Sequence, residues 1–199
     1  RTDTGVHASF FVAHFESDIV IPHTKALVDK LNRFLGKNIA IKDIYAVLPD
    51  MHARFSAISR TYKYYIDKNK NPFTYPFSYR PHPLPDIRLM NEACERLMRY
   101  EDFTSFSKLH TDVKTNICHI MEANWEETDE QLVFTIKADR FLRNMVRAIV
   151  GTLLDVGQGR ITLEQFQQII ESKDRCKAGT SVPGNALFLC DIEYPPCKL

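Results

Sequence analysis

Apolar positions alternate with polar ones in parts of the chain and recur every three or four residues in others, which separates predicted strands from predicted helices. Alternation predicts strands at residues 6–17, 43–48, 58–66, 115–126, 131–138 and 186–192. Helical spacing predicts helices at residues 22–36, 86–100, 141–156 and 163–172. The proline-rich stretch 69–85 is expected to be an irregular loop.

The order of these elements indicates an α+β protein with an internal near-repeat. Residues 57–199 follow the order β-α-β-β-α-(α)-β of the split βαβ or ferredoxin-like unit. Residues 1–56 follow β-α-β, which matches the C-terminal part of such a unit. We therefore expect two ferredoxin-like half-repeats around a mixed or antiparallel sheet, the first lacking its upstream β-α-β because the chain is N-terminally truncated. The alternative is a native chain with a lopsided α+β topology.

Composition indicates a globular protein. Hydrophobic residues make up 44% and charged residues 26% of the 199 positions, which argues against a disordered or collagen-like chain. No apolar run has the length of a membrane span and no signal-peptide pattern is found, so we expect a soluble, cytoplasmic protein. The five cysteines are scattered without a CxxC pair. They are interpreted as reduced thiols, and no metal site is expected.

The net charge of +1 does not by itself indicate a nucleic-acid partner, but basic residues are concentrated after residue 136. Arg140, Arg143 and Arg147 are spaced three and four apart, which would place them on one stripe of the predicted helix 141–156. Three guanidinium groups in a row suit phosphate contacts. The alternative is a solvated helix face with salt bridges.

Two further groups of residues could carry chemistry. Asp3 precedes Gly5 just before a predicted strand, where a turn can hold a carboxylate towards a ligand, although Asp before Gly is usually a turn former. Arg60, Tyr62 and Tyr64 alternate along a strand, a composition suited to stacking on bases, although Tyr is also common on half-buried strands. These residues make an RNA-binding α+β protein with one catalytic carboxylate plausible. No nucleophile elbow, P-loop or dinucleotide fingerprint is found.

Several motifs occur in an order that resembles the tRNA pseudouridine synthase A family. The family signature G-R-T-D-A-G-V-H-A is matched by R-T-D-T-G-V-H-A at residues 1–8, with Thr4 in place of Ala and without the leading Gly. The residues L-N-R-F-L-G-K-N-I-A-I-K-D-I at 31–44 match a family loop loosely. The other matches are H-A-R-F-S-A at 52–57, R-x-Y-x-Y at 60–64, D-F-T-S-F at 102–106, F-x-x-x-M-V-R-x-I-V-G at 141–151 and A-L-F-L at 186–189.

The resemblance implies a pseudouridine synthase fold and an isomerase that converts uridine to pseudouridine in the anticodon stem-loop of tRNA. The reaction breaks a C–N glycosidic bond and rejoins the base through carbon. No cofactor and no metal is implied, and the expected partners are tRNA and a second copy of the chain in a homodimer. A catalytically inactive RNA-binding fragment is the alternative function.

The resemblance also implies roles for particular residues. Asp3 would be the nucleophile, attacking either the ribose or the base first. Tyr62 would stack on the target base and take part in proton transfer, and Arg147 would keep Asp3 ionised by its opposite charge. Leu187 would line the base pocket. The residues expected to contact RNA are Arg1, Arg60, Arg140 and Arg143.

Overall fold

The computed structural model describes residues 2–108 and 114–196, and the chain divides into two compact units. The larger unit comprises Arg1–Phe11 and Ile58–Glu193, and the smaller comprises Val12–Ala57 and Tyr194–Leu199. None of the helices in the described part of the chain is both long and apolar enough to cross a membrane.

The larger unit contains one five-stranded mixed sheet. Its strands are β1 (His7–Ala8), β2 (Ser59–Asp67), β3 (Ile120–Glu127), β4 (Gln131–Ala138) and β5 (Leu187–Glu193). The spatial order is β1-β5-β2-β4-β3. The pairings β5–β2, β2–β4 and β4–β3 are antiparallel, whereas the short β1 runs parallel to β5 at the sheet edge. The strands predicted near 58–66, 131–138 and 186–192 are thus confirmed, and the prediction of 115–126 holds for its second half.

Three helices of the larger unit cover one face of this sheet: α2 (Ile87–Leu97), α3 (Met145–Gly157) and α4 (Leu163–Glu171). Along β4, Leu132, Phe134, Ile136 and Ala138 are buried, and they form one hydrophobic cluster with the buried residues of the three helices. This alternation places every second residue of β4 in the core. Two of these helices begin at side-chain caps: at α2, Asp86 accepts from the Arg88 amide, and at α4, Thr162 forms a capping box with Gln165.

Helix α3 starts later than its apolar pattern predicts. Leu142 is drawn into the core, residues 143–144 form a turn, and Asn144 adopts the left-handed conformation (φ 66°) before the first helical residue, Met145. The predicted helical stripe of three arginines is therefore wrong. Only Arg147 lies on the helix, because the chain must turn at 143–144 after Leu142 enters the core.

The helix α3 is packed unusually tightly against the segment that follows α4. A Cβ atom at Gly151 would lie 1.9 Å from the Thr180 carbonyl oxygen, and one at Gly179 would lie 2.6 Å from a carboxylate oxygen of Asp155. Glycine at both positions lets helix and segment approach at backbone distance. The segment 179–184 therefore runs directly along α3, with Gly179 beside Asp155 and Val182 bonded to Arg147.

The proline-rich loop after β2 is irregular, as predicted, with a 3₁₀ turn at Tyr75–Phe77. The buried Asp67 side chain, 4% exposed, accepts hydrogen bonds from Thr74 Oγ1 (2.7 Å), Ser78 Oγ (2.5 Å) and Gln131 Nε2 (2.7 Å). One carboxylate thus ties the loop to the end of β2 and to β4.

The smaller unit contains the helix α1 (Thr24–Phe34), which confirms the helix predicted at 22–36. The strand predicted at 43–48 is wrong, since these residues contain an isolated bridge at Val47 and no strand. Just before this segment, Asn32 of α1 forms two hydrogen bonds with the backbone of Ile41. Its Nδ2 donates to the Ile41 carbonyl, and its Oδ1 accepts from the Ile41 amide. Of the strand predicted at 6–17, only His7 and Ala8 form a strand, β1, which pairs with β5. An alternating segment becomes a strand only where it pairs with a neighbouring strand.

Candidate active site

Asp3 lies in a tight turn immediately before β1. The Val6 amide donates to the Asp3 carbonyl oxygen at 3.1 Å, and Gly5 has a φ of 79°. A turn with positive φ at its third position favours glycine there, and Asp is a preferred first residue of turns. The half-buried Asp3 side chain is therefore placed by turn chemistry that the sequence carries locally.

A cavity of about 610 Å³ contains Asp3 and four cationic side chains of the larger unit. Its lining residues are Asp3, Thr4, Lys108, Arg143, Asn144, Arg147 and Arg175. The volume lies in the range of pockets that hold small molecules or single nucleotides. Within this lining, one carboxylate lies with four cations, which suits a polyanionic ligand.

Arg147 forms two hydrogen bonds with Val182, one through its side chain and one through its backbone. Its Nε donates to the Val182 carbonyl at 2.7 Å, and its own carbonyl accepts from the Val182 amide at 3.2 Å. The guanidinium group thus has a defined direction at the start of α3. Asp3 and Arg147, from opposite ends of the chain, line the same cavity.

The segment 179–184 connects these two residues. Asn144 Nδ2 and an Arg175 guanidinium nitrogen both donate to Ser181 Oγ, at 2.6 and 2.9 Å. At its other end, a Cβ at Gly184 would lie 3.0 Å from the Thr4 carbonyl oxygen. The segment therefore touches the start of α3 on one side and the Asp3 turn on the other.

Tyr62 lies on β2 within the electrostatic reach of Asp3. Burial raises the pKa of the Tyr62 phenol to about 12, the negative charge of Asp3 acts in the same direction, and Arg60 opposes them. The Tyr62 ring meets Phe141 edge-on, with centroids 5.2 Å apart. The phenol is therefore neutral at physiological pH and can donate a hydrogen bond.

Tyr64 does not belong to an exposed stacking surface. Its side chain is 0% exposed in the core, and its hydroxyl donates to the Pro183 carbonyl at 3.1 Å. The interpretation of Arg60, Tyr62 and Tyr64 as one base-stacking surface is thus wrong for Tyr64, because this part of β2 is covered by the helices. Tyr64 instead contacts the segment 179–184 through its hydrogen bond to the Pro183 carbonyl.

Three of the remaining predicted site residues, Leu187, Arg60 and Arg140, are not among the residues that line the cavity. Leu187 is 4% exposed and pairs with Tyr64 across β5 and β2. Arg60 Nη1 donates to the Asp139 carbonyl at 2.5 Å. Arg140 lies near Cys118, whose pKa is raised to about 11 by burial while Arg140 opposes that shift. None of these three lines the cavity, and Arg1 lies outside the described residues.

Four residues of the cavity region were not predicted from the sequence: Lys108, Asn144, Arg175 and Gly184. Lys108 and Arg175 stand in stretches without periodicity, so no pattern marks them. The glycines at 179 and 184, which bracket Pro183, were the available signal of a close backbone approach. Across the described ranges 2–108 and 114–196, no cluster of three or more His, Cys, Asp or Glu side chains could hold a metal ion.

An α+β fold with a carboxylate among four cations in one cavity suits a protein that binds a polyanion such as RNA. Comparison with known proteins makes this specific. The sequence model of a family described as tRNA pseudouridine synthase matches residues 93–195. The chain is also 59% identical over 195 residues to tRNA pseudouridine synthase A of Parabacteroides distasonis, covering 98% of this chain and 77% of that protein.

Other relatives carry the same name. The enzyme of Bacteroides thetaiotaomicron is 59% identical over 198 residues, with 98% of this chain and 73% of the relative covered. That of Bacillus subtilis is 38% identical over 200 residues, with 98% and 79% covered. The chain therefore belongs to the tRNA pseudouridine synthase family, which is a family of isomerases.

Proposed function

We propose that this protein isomerises uridine to pseudouridine in the anticodon stem-loop of tRNA, with Asp3 as the nucleophile. The observation that carries the proposal is the common cavity of Asp3 and Arg147. The family supplies tRNA as the substrate class, and the cavity places a carboxylate beside cations that can attract the RNA backbone.

Asp3 starts the reaction by attacking either the anomeric carbon of the ribose or the pyrimidine ring. Both routes need the deprotonated carboxylate, break the bond between N1 and the ribose, and form a new bond from ribose to carbon 5 of the base. The bond made by Asp3 is broken again to regenerate its carboxylate, the proton on carbon 5 is lost, and N1 takes up a proton, so that the product is an isomer of the substrate. The cations of the cavity lie in the same lining as this carboxylate.

Tyr62 and Arg147 support this step in different ways. Arg147, oriented by its bonds to Val182, offers the opposite charge in a partly desolvated site. Tyr62 stays protonated, since burial and Asp3 raise its pKa to about 12. Its phenol therefore donates a hydrogen bond to the base and its ring provides a stacking face, whereas Leu187 supplies an apolar contact.

Binding of the stem-loop depends on cations in and around the cavity. Arg143 is an exposed residue of the cavity wall. Arg60, Arg140 and Arg1 are assigned to RNA contacts outside that wall. Two copies of the chain act together as a homodimer in this proposal, so that one tRNA contacts both. The alternative of an inactive RNA-binding fragment has no observation in its favour among the described residues.

We also infer that the chain is built from two ferredoxin-like half-repeats, with residues 1–56 belonging to the first and 57–199 to the second. The order β5-β2-β4-β3 with antiparallel neighbours supports this inference for the second half, because it is the strand order that a split βαβ unit produces.

The substitution Asp3→Asn tests the proposal, because it removes the charge of the carboxylate and keeps its shape. We expect no release of tritium from tRNA labelled at carbon 5 of uridine, with tRNA affinity within a few fold of the unsubstituted protein. Asp129→Asn, in the exposed turn between β3 and β4, is the matched control and should retain full activity. Turnover by Asp3→Asn would end the assignment of the nucleophile.

The position of the modified uridine needs a separate measurement. Mapping of pseudouridine by reverse transcription after chemical derivatisation should find the product in the anticodon stem-loop of the treated tRNA. Product confined to another arm of the tRNA would refute the proposed target while leaving the isomerase activity intact.

A further inference from the structure

The cavity holds more positive charge than one carboxylate requires. Within the described part of the chain, its wall carries Lys108, Arg143, Arg147 and Arg175 against Asp3. The proposed function uses Arg147 as the counter-charge of Asp3 and Arg143 as an RNA contact, and it assigns no role to Lys108 and Arg175. Since the whole protein carries a net charge of only +1, this local excess is a property of the site rather than of the surface.

Arg175 is oriented before any ligand arrives. One guanidinium nitrogen donates to Ser181 Oγ at 2.9 Å, and the other lies 3.4 Å from the carbonyl oxygens of Ala178 and Gly179. Arg175 is half-buried at the start of a 3₁₀ turn whose N-cap, Asp174, accepts from the Cys176 amide at 2.9 Å. A guanidinium fixed in this way loses little entropy when it binds an oxyanion.

Lys108 is tied to the same wall from a different element. Its amide donates to the carbonyl of Arg143 at 3.1 Å, which places Lys108 beside the turn that precedes α3. The next residue of that turn, Asn144, shares Ser181 with Arg175. Lys108, Arg143 and Arg175 are thus connected through backbone and side-chain hydrogen bonds around one side of the cavity.

We propose that Lys108 and Arg175, together with Arg143, bind a backbone phosphodiester adjacent to the nucleotide that reaches Asp3. This inference rests on the proposed function, because it takes RNA as the ligand. A phosphodiester fits the wall because its two non-bridging oxygens can accept from a guanidinium fork and an ammonium at once. The phosphate fixes the position of the nucleotide, and Asp3 and Tyr62 act on the base.

The test is the salt dependence of tRNA binding by single variants. Each phosphate contact that is lost should lower the slope of log affinity against log salt concentration by about 0.7 to 0.9. We expect Arg175→Gln and Lys108→Gln each to show that decrease and about tenfold weaker binding, in line with one lost charge-assisted hydrogen bond. Lys177→Gln is the matched control, an exposed cation of the same 3₁₀ turn that does not line the cavity, and should behave like the unsubstituted protein.

Ser181→Ala separates a phosphate contact from a structural role of Arg175. This variant removes the hydrogen bond to Arg175 but keeps the cation, so it should keep the salt slope even if its affinity falls. Equal loss of slope in Ser181→Ala and Arg175→Gln, or an unchanged slope in both Arg175→Gln and Lys108→Gln, would overturn the proposal. Lys108 lies on another element, so a folding defect at Arg175 leaves the second variant as an independent measurement.

Failure of the proposed phosphate site and failure of the proposed function can be told apart, because they are tested by different measurements. Binding is measured with an anticodon stem-loop RNA and an intact tRNA, whereas the proposed function is tested by tritium release from Asp3→Asn. Altered salt slopes in the two glutamine variants support the phosphate site even if Asp3→Asn still turns over. Unchanged slopes reject the site even if Asp3 is the nucleophile.

Discussion

Arg147 and Val182 are joined by two hydrogen bonds in opposite directions, one from the Val182 amide to the Arg147 carbonyl and one from Arg147 Nε to the Val182 carbonyl. Residue 182 lies in a segment that packs on α3 through Gly151 and Gly179 and against the Asp3 turn through Gly184. The direction of the Arg147 guanidinium is therefore set by the same segment that abuts Asp3. Substitutions at Arg147 and Gly184 should therefore change activity, whereas substitutions at Tyr62 and Asp67 should change stability.

The substitution Arg147→Lys keeps the charge and removes the Nε donor. We expect kcat to fall by about tenfold or more, since the ammonium lacks the planar fork and the bond to Val182 that orients it. The free energy of unfolding should fall by about 1 kcal/mol. Single-turnover kinetics and urea denaturation measure the two effects. Arg160→Lys, at the exposed ion pair with Asp155, is the control, and an unchanged kcat in Arg147→Lys would contradict the orienting role.

The substitution Gly184→Ala would place a Cβ 3.0 Å from the Thr4 carbonyl oxygen and 3.3 Å from a methyl group of Val6. The Asp3 turn must then shift by a few tenths of an ångström. We expect kcat to fall by about tenfold with little change in tRNA affinity, because a nucleophile is sensitive to small displacements. Gly36→Ala is the control, since nothing lies within 4 Å of its added Cβ. Equal kcat for both variants would show that the contact does not position Asp3.

Tyr62 makes the stability of the protein depend on alkaline pH. Burial and Asp3 raise its pKa from 10.0 to about 12 in the folded protein. The folded state therefore holds this proton more tightly than the unfolded state, so the stabilisation is complete below pH 10 and is lost as the pH rises through 12. Urea denaturation at pH 9 and pH 11 should show a smaller loss of stability for Tyr62→Phe than for the unsubstituted protein. Parallel losses would contradict the raised pKa.

The substitution Asp67→Ala leaves three hydrogen-bond donors at a buried site without their acceptor, namely Thr74, Ser78 and Gln131. We expect the free energy of unfolding to fall by about 2–4 kcal/mol. The loop after β2 should also become more sensitive to limited proteolysis, because Asp67 ties it to the sheet. Asp129→Ala, at an exposed turn, should be neutral. A loss of less than about 0.5 kcal/mol, the range of ordinary surface substitutions, would show that the network contributes little.

The regular elements of the larger unit were predictable because their patterns are local. The alternation in β2 and β4 and the helical spacing in α2 and α4 each describe one buried face, and the caps at Asp86 and Thr162 mark helix starts directly. The strand expected at 43–48 was wrong because strand formation is not a local property. Whether an alternating segment becomes a strand depends on a neighbour in space, which the segment itself does not encode.

The candidate site divides in the same way. Asp3 could be singled out because the turn that presents it is built from adjacent residues, and Arg147 because it belongs to a recognisable motif. Lys108 and Arg175 could not be, since each joins the cavity through contacts with residues distant along the chain. Likewise, Tyr62 and Tyr64 lie two residues apart on one strand, but only tertiary packing decides that Tyr64 is completely buried whereas Tyr62 remains partly exposed.

By itself, the sequence determined the family, the α+β class, most helix and strand positions, and the turn that carries Asp3. These are properties of neighbouring residues and of motif order. Tertiary structure alone decided where α3 begins, which tyrosine is completely buried, and which four cations line the cavity with Asp3. Those properties depend on close approach between distant segments, above all on Gly151, Gly179 and Gly184, where the absence of a side chain lets the backbones meet.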